Sequence, residues 1–402
     1  MTTRLSPSTV KTVKATVPAL EAHGLQITRK MYDHLFEDAH IRDLFNQSHH
    51  GAEGSQPRAL ADAILAYARN IDRLQVMTPA VERIAQKHVG LQVLPEHYPY
   101  VADALMKAIA DILGDAATDE VLTAWREAYW FLAELLIGRE AELYREIAAS
   151  PGGWTGWREF VVAEKIRESA VIISFVLRPA DGGAVVAHRP GQYLTFSFDL
   201  PGRGAFRRNY SISSAPNGAT YRISVKREPG GIVSGWLHDA VEPGARLRVA
   251  PPAGDFVLPE APGRPVVLLS GGVGLTPMIA MLEALAETRP EAPVQFVHGT
   301  LDGSTHAMGE KVRRLTGSGA RRATLFYEAP LTSDVPGRDF DHEGRVTPAW
   351  LHENTPVAEA DYFVCGPKGF LSSCIRGLAR AGVDPDRIHY ENFGPAEGVL
   401  AA

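Results

Sequence analysis

The 402 residues set 41 Lys and Arg against 47 Asp and Glu, a formal net charge of -6, with 45% hydrophobic and 22% charged residues. That balance, without a basic tract, excludes nucleic acid and anionic membrane as expected partners, and no apolar run approaches the ~18 residues of a membrane span. Met1 to Val17 mixes Thr, Ser, Lys and Val in place of an apolar leader, and only Cys365 and Cys374 are present, so a reducing, cytoplasmic setting is expected.

Residues 1–150 carry helical patterns. Leu25, Thr28, Tyr32 and Leu35 mark one helix; Ser55-Gln56-Pro57 opens another, followed by Leu60, Ile64, Ala68 and Ile71. Three further stripes run Val81, Ile84, His88, Leu91; then Tyr98, Val101, Leu105, Ile109, Ile112; then Leu122, Trp125, Tyr129, Leu132, Leu136, Glu140, Leu143, Ile147. Pro151-Gly152-Gly153 ends this part. From about 157 to 261 the period falls to two, with Phe160-Val161-Val162, Val171–Phe175 and Tyr221–Val225 as strands; these suggest a small antiparallel barrel. From about 262 apolar strands (Pro265–Leu269, Val294–Val297, Tyr362–Cys365) alternate with helices, one marked by Met278, Met281, Leu282 and Leu285, the signature of a parallel α/β sheet. The expected fold is therefore multidomain: all-α over 1–150, an antiparallel β-barrel over 151–261, and parallel α/β over 262–402.

Three polar side chains interrupt the helical stripes. Spacings of three and four turn His88, Tyr98 and Glu140 inward, where Leu or Val is expected. A buried carboxylate needs a hydrogen-bond partner, so the three are expected to partner one another around a function that needs a basic imidazole. His49-His50, in a polar stretch, reads as solvated surface.

Ser270-Gly271-Gly272-Val273-Gly274-Leu275-Thr276-Pro277 follows a strand and opens a helix, a turn whose amides can cradle a pyrophosphate. Pro277 stands where the last glycine of the dinucleotide fingerprint belongs, so a plain strand-to-helix turn competes with that reading. Upstream, Arg208-Asn209-Tyr210-Ser211 sends Arg208 and Tyr210 to one face of a strand, where an aromatic can stack on an isoalloxazine and a guanidinium can grip phosphate. Gly230-Gly231-Ile232-Val233-Ser234 offers a second anion-binding turn. In this order, with Cys365-Gly366-Pro367, the motifs resemble flavoproteins of the ferredoxin-reductase type. The resemblance implies FAD on the barrel, held by Tyr193, Arg208, Asn209, Tyr210, Ser211, Gly231, Val233 and Ser234 and by the tail Glu391-Asn392-Phe393-Gly394-Pro395. It implies NAD(P)H at Gly271, Gly272, Val273, Gly274, Leu275, Thr276, Cys365 and Gly366. Asn392 stands where relatives often carry Cys. No carboxylate suited to a ribose closes the strand at Val297-His298-Gly299, so NADH and NADPH both stay open.

The helical segment resembles a globin, with Phe45 in Asp43-Leu44-Phe45-Asn46 as the haem-packing aromatic. The resemblance implies His88 as the iron ligand of a haem b, Tyr32 and Gln56 as distal groups, Leu60 narrowing the pocket and Lys87 beside the ligand. Glu37-Asp38-Ala39-His40-Ile41 is one residue shorter than the family's asparagine-proline form, which leaves the register of Gln56 open. Globin, FAD barrel and NAD(P) domain in this order resemble the flavohaemoglobins across the whole chain. In that family Tyr98 and Glu140 would bond around the ligand imidazole, raising its basicity. The implied activity is nitric oxide dioxygenation: electrons from NAD(P)H pass through FAD to haem, and NO and O₂ become nitrate, Tyr32 donating a hydrogen bond to the oxygen. A monomer is expected. Alternatives are an oxygen or NO sensor or carrier with its own reductase, and an alkyl hydroperoxide or ferric reductase.

Overall fold

A computed structural model of the protein describes residues 5–42 and 55–393. They divide into two compact units, one of residues 5–42, 55–149 and 199–207, the other of residues 150–198 and 208–393. Up to residue 149 the first unit is helical. Helix α1 (Pro7–Ala15) starts where the Ser6 hydroxyl accepts from the Thr9 amide, with Pro7 where a missing amide hydrogen costs nothing. It is followed by α2 (Val17–Leu35), α3 (Ala39–Arg42), α4 (Ser55–Asn70), α5 (Thr78–Leu91), α6 (Tyr98–Leu113) and the long α7 (Asp119–Ala149). The apolar stripes meet as expected: Ile27, Met31 and Leu35 of α2 share one core with Leu105 and Ile109 of α6 and Trp125 and Ala128 of α7. A second cluster joins Ala85 and Val89 of α5 to Ala133, Leu136 and Leu143 of α7. Helix α5 stops just past His88, where Gln92 takes a left-handed conformation (φ 58°) and its amide caps the helix end.

Residues 158–249 form the barrel: β1 (Arg158–Arg167), β2 (Ile172–Pro179), β3 (Tyr193–Leu200), β4 (Gly204–Ser211), β5 (Tyr221–Lys226), α8 (Ile232–Ala240) and β6 (Arg246–Val249). Its strands run β4-β3-β6-β1-β2-β5, with antiparallel ladders between β1 and β2, β1 and β6, and β2 and β5. Ile212, next after β4, bridges to Ile223 of β5 and joins the two edges. The α/β part comprises β7 (Val266–Gly271), α9 (Leu275–Thr288), β8 (Val294–Thr300), α10 (Gly309–Thr316), β9 (Arg321–Tyr327), β10 (His342–Glu343), α11 (Pro348–Asn354), β11 (Asp361–Cys365), α12 (Lys368–Arg380) and β12 (Ile388–Glu391). These strands are parallel, in the order β10-β9-β8-β7-β11-β12. Alternate residues of β7 explain its unbroken apolar run: Val266 and Leu268 pack with Met278 and Leu282 of α9, while Val267 and Leu269 pack with Leu371 and Leu378 of α12. The chain direction across the sheet reverses between β7 and β11, which leaves the crevice where such sheets bind ligands. No helix among the described residues is long and apolar enough to cross a membrane.

Candidate functional site

His88 sits near the end of α5, and α7 passes behind it. The His88 Nδ1 donates to Glu140 Oε1 at 2.7 Å and lies 3.1 Å from the Tyr98 hydroxyl, which itself donates to Glu140 Oε1 at 2.6 Å. Glu140 is 2% and Tyr98 5% exposed. Burial, reinforced by the hydrogen bond to Glu140 and its charge, raises the Tyr98 phenol well above its ordinary pKa, so Tyr98 stays a donor. The three residues singled out by their misplaced polarity thus converge. The ring edge carrying Nε2 makes no hydrogen bond among the described residues, and the His88 side chain is 30% exposed. One nitrogen is fixed as a donor; the other is left with its lone pair.

Tyr32, on the buried face of α2, is 7% exposed. Burial raises its pKa, and a hydrogen bond with the Gln56 side chain opposes that rise. The structure therefore brings Tyr32 of α2 and Gln56 of α4 together. Leu60, one turn on, packs against the core cluster that contains Tyr32. Lys87 is exposed. Phe45 lies outside the described residues.

In the second unit Arg208 and Tyr210 are half-buried on β4 while Asn209 between them is exposed, and Ser211 is buried. Burial lowers the Arg208 pKa and raises that of Tyr210. Tyr210 packs edge-on against Phe196, with ring centres 5.7 Å apart. Tyr193 opens β3, 7% exposed, and its buried hydroxyl has no hydrogen-bond partner among the described residues. Gly231 precedes α8, where the Ser234 hydroxyl accepts from the Glu228 amide at 3.1 Å and Val233 is buried. The Gly271-to-Thr276 turn joins β7 to α9 as expected: Gly272 has φ 53°, and a Cβ on Gly274 would lie 2.2 Å from the Cys365 carbonyl oxygen. The turn is seated directly on the end of β11, where Leu275 and Thr276 are buried. Burial, then the Glu391 charge, raises the Cys365 thiol well above its usual pKa. Gly366 faces Phe370. Glu391 ends β12 beside Cys365, with Asn392 half-buried and Phe393 exposed after it. Gly394 and Pro395 lie outside the described residues.

Residues 29–135 match the globin family model, 159–258 the oxidoreductase FAD-binding domain and 268–375 the oxidoreductase NAD-binding domain. A flavohemoprotein of Xylella fastidiosa (strain 9a5c) is 51% identical over 403 residues, covering 100% of both chains. The chain belongs to the flavohemoprotein family. A flavohemoprotein of Rhodopirellula baltica is 42% identical, over 99% of this chain and 100% of that one. The crystal structure of a Malassezia yamatoensis flavohemoglobin with bound FAD and heme matches with a TM-score of 0.85 at 28% identity, over 97% of this chain and 100% of that one. The FAD/NAD-binding domain of a nitric oxide dioxygenase from Vibrio cholerae matches with a TM-score of 0.54 at 39% identity, over 59% of this chain and 99% of that one.

The residues of this flavohemoprotein suit a haem and two nucleotide cofactors. A single imidazole with one nitrogen fixed and the other free is the donor set of a haem ligand. The Gly274 contact leaves no room for a side chain, so the turn packs backbone to backbone on Cys365 and Gly366. The unpartnered Tyr193 hydroxyl is a buried donor that suits an oxygen-rich ligand. Sequence reasoning missed the supports. Tyr129 and Tyr144 of α7 donate to the carbonyls of Tyr98 and Val93 at 2.7 and 3.0 Å. Only Tyr129 was visible, as part of a stripe. It also missed the Ser270–His298 hydrogen bond at 2.9 Å beneath the glycine turn, since nothing in the sequence marks His298 as buried.

Proposed function

We propose that this flavohemoprotein is a nitric oxide dioxygenase, built as a haem domain over 1–150, an FAD domain over 151–261 and an NAD(P) domain over 262–402. When bound, the nicotinamide and flavin supply conversion of a two-electron donor to single electrons, and the haem supplies a redox-active iron open to diatomic ligands. His88 would hold the haem through Nε2. Glu140 accepts the Nδ1 proton and Tyr98 donates to the same carboxylate oxygen, so the imidazole is fixed in one tautomer and made electron-rich. Tyr32, kept protonated by burial, and Gln56 beside it would present hydrogen-bond donors to a small ligand in the pocket. Leu60, and Phe45 by sequence, would narrow that space and exclude water; exposed Lys87 would add positive charge near the ligand.

Arg208, Asn209, Tyr210, Ser211 and Tyr193 would grip FAD from the barrel, aided by Gly231, Val233 and Ser234 and by the tail from Glu391 to Pro395. The turn from Gly271 to Thr276 would cradle NAD(P)H, with Cys365 and Gly366 as the floor. The observation that carries the proposal is the buried His88, Tyr98 and Glu140 hydrogen-bond set, because a passive oxygen carrier has no need of a carboxylate behind its ligand. Its two buried free thiols suit the cytoplasm, and it would act there as a monomer on NO and O₂.

The test is NO consumption by the purified chain in air with NADH or NADPH. Nitrate formed in a one-to-one ratio with NO, and dependent on the nicotinamide, supports the proposal. Nicotinamide oxidation unaffected by NO, with no nitrate, contradicts it.

A further inference from the structure

We infer that Arg139 is a positioning residue for the His88 imidazole, holding α7 against α5 in the register that aims Glu140 at Nδ1. The inference rests on the reading of His88 as the haem ligand. Glu140 engages His88 and Tyr98 through Oε1 alone; its Oε2 is buried with no hydrogen-bond partner among the described residues. A carboxylate held by one oxygen can swing about its broad terminal torsion. Its aim then depends on where the two helices place its stem.

Arg139, the preceding residue, fixes that placement. Its Nε donates to Glu82 Oε2 at 2.7 Å and its Nη2 to Glu82 Oε1 at 3.2 Å. This two-bond pairing constrains orientation as well as distance. Glu82 stands on α5 less than two turns before His88, and Gln86 braces it with a further bond to Oε1 at 2.9 Å. Beyond His88, Tyr144 and Tyr129 hold the carbonyls of Val93 and Tyr98. Helix α7 therefore grips the ligand segment before, at and after the imidazole. Arg139 also reaches Glu142 at 3.1 Å and Glu146 at 3.4 Å on its own helix. Those contacts do not touch α5 and so provide a control.

The test is the iron–histidine stretching band of the reduced, haem-loaded, full-length protein. Arg139→Gln and Glu82→Gln are each expected to lower the band toward the position given by Glu140→Gln, because the imidazole loses donor strength. Glu142→Gln is expected to leave it at the wild-type position, and flavin reduction by NAD(P)H should be unchanged in the Arg139, Glu82 and Glu142 variants. A band unmoved in Glu82→Gln, or moved equally by Glu142→Gln, overturns the positioning role. A wild-type protein with no such band overturns the ligand reading itself.

Discussion

At Glu140 one oxygen accepts from an imidazole and a phenol, 2.7 and 2.6 Å away, at 2% exposure. Groups behind a metal-ligating histidine typically carry a factor of roughly 10–100 in affinity or activity. Glu140→Leu should therefore slow NO consumption by about that factor while leaving ferricyanide reduction by NAD(P)H at the wild-type rate; both are read on one preparation. Tyr98→Phe removes a hydrogen bond to a carboxylate, and urea unfolding of the helical unit should register a loss of roughly 1.5–3 kcal/mol. Gly274→Ala places a methyl 2.2 Å from the Cys365 carbonyl oxygen. The turn must shift, so the KM for NAD(P)H should rise at least tenfold while FAD is retained; an unchanged KM would mean the turn does not face the dinucleotide. His88, Tyr98 and Glu140 could be read from sequence because helical spacing alone turns them inward. Gln56 could not, since its place beside Tyr32 depends on a neighbouring segment with no periodic pattern.

The elements of the second unit are joined by a half-buried ion pair. Arg222 of β5 donates to Glu283 of α9 at 3.0 Å, with 12% and 15% of the two side chains exposed; Lys311 and the Ala215 amide complete the carboxylate. Glu283→Ala removes the charge partner of Arg222, which keeps its bonds to Ser213, and should cost about 1.5–3 kcal/mol of stability, the range for hydrogen bonds to charged groups. Asp239→Ala, which breaks the solvent-exposed pair with Arg227, should leave the urea midpoint close to the wild-type value. Equal losses in the two urea titrations would contradict the assignment of Glu283 as the joint. Strands β1, β2, β5, β7, β8 and β11 were legible from their apolar runs. The joint was not, because Arg222 and Glu283 lie 61 residues apart and each looks like an ordinary surface charge. The grip of α7 on α5 and on the segment that follows it escaped for the same reason: its partners are separated by 57, 51 and 31 residues.

Over the whole molecule, buried imidazoles contribute to the loss of stability in acid. His188, His298 and His306 belong to the second unit. Burial drives His188 down to about 4, His298 to about 3 and His306 to about 4, helped in His298 by neighbouring His306. An unfolded imidazole titrates near ~6.5. Below that pH the unfolded chain binds more protons than the native one, so their contribution is complete above pH ~6.5 and declines as pH falls toward 4. The slope approaches about 1.4 kcal/mol per pH unit for each histidine. Flavin release on heating should come at clearly lower temperature at pH 5 than at pH 7, and His298→Gln should flatten that dependence; equal melting at both pH values would contradict it. The order of helical, barrel and α/β parts was legible throughout from the change of hydrophobic period. The buried histidines were not, because they sit at strand ends and loops where sequence alone does not distinguish inside from outside.

The most direct measurement is the visible absorption spectrum of the purified full-length protein beside its His88→Ala variant. Haem and flavin bands together are expected in the first and flavin bands alone in the second. Flavin without haem in the wild type, or haem retained in full without the His88 imidazole, would contradict it.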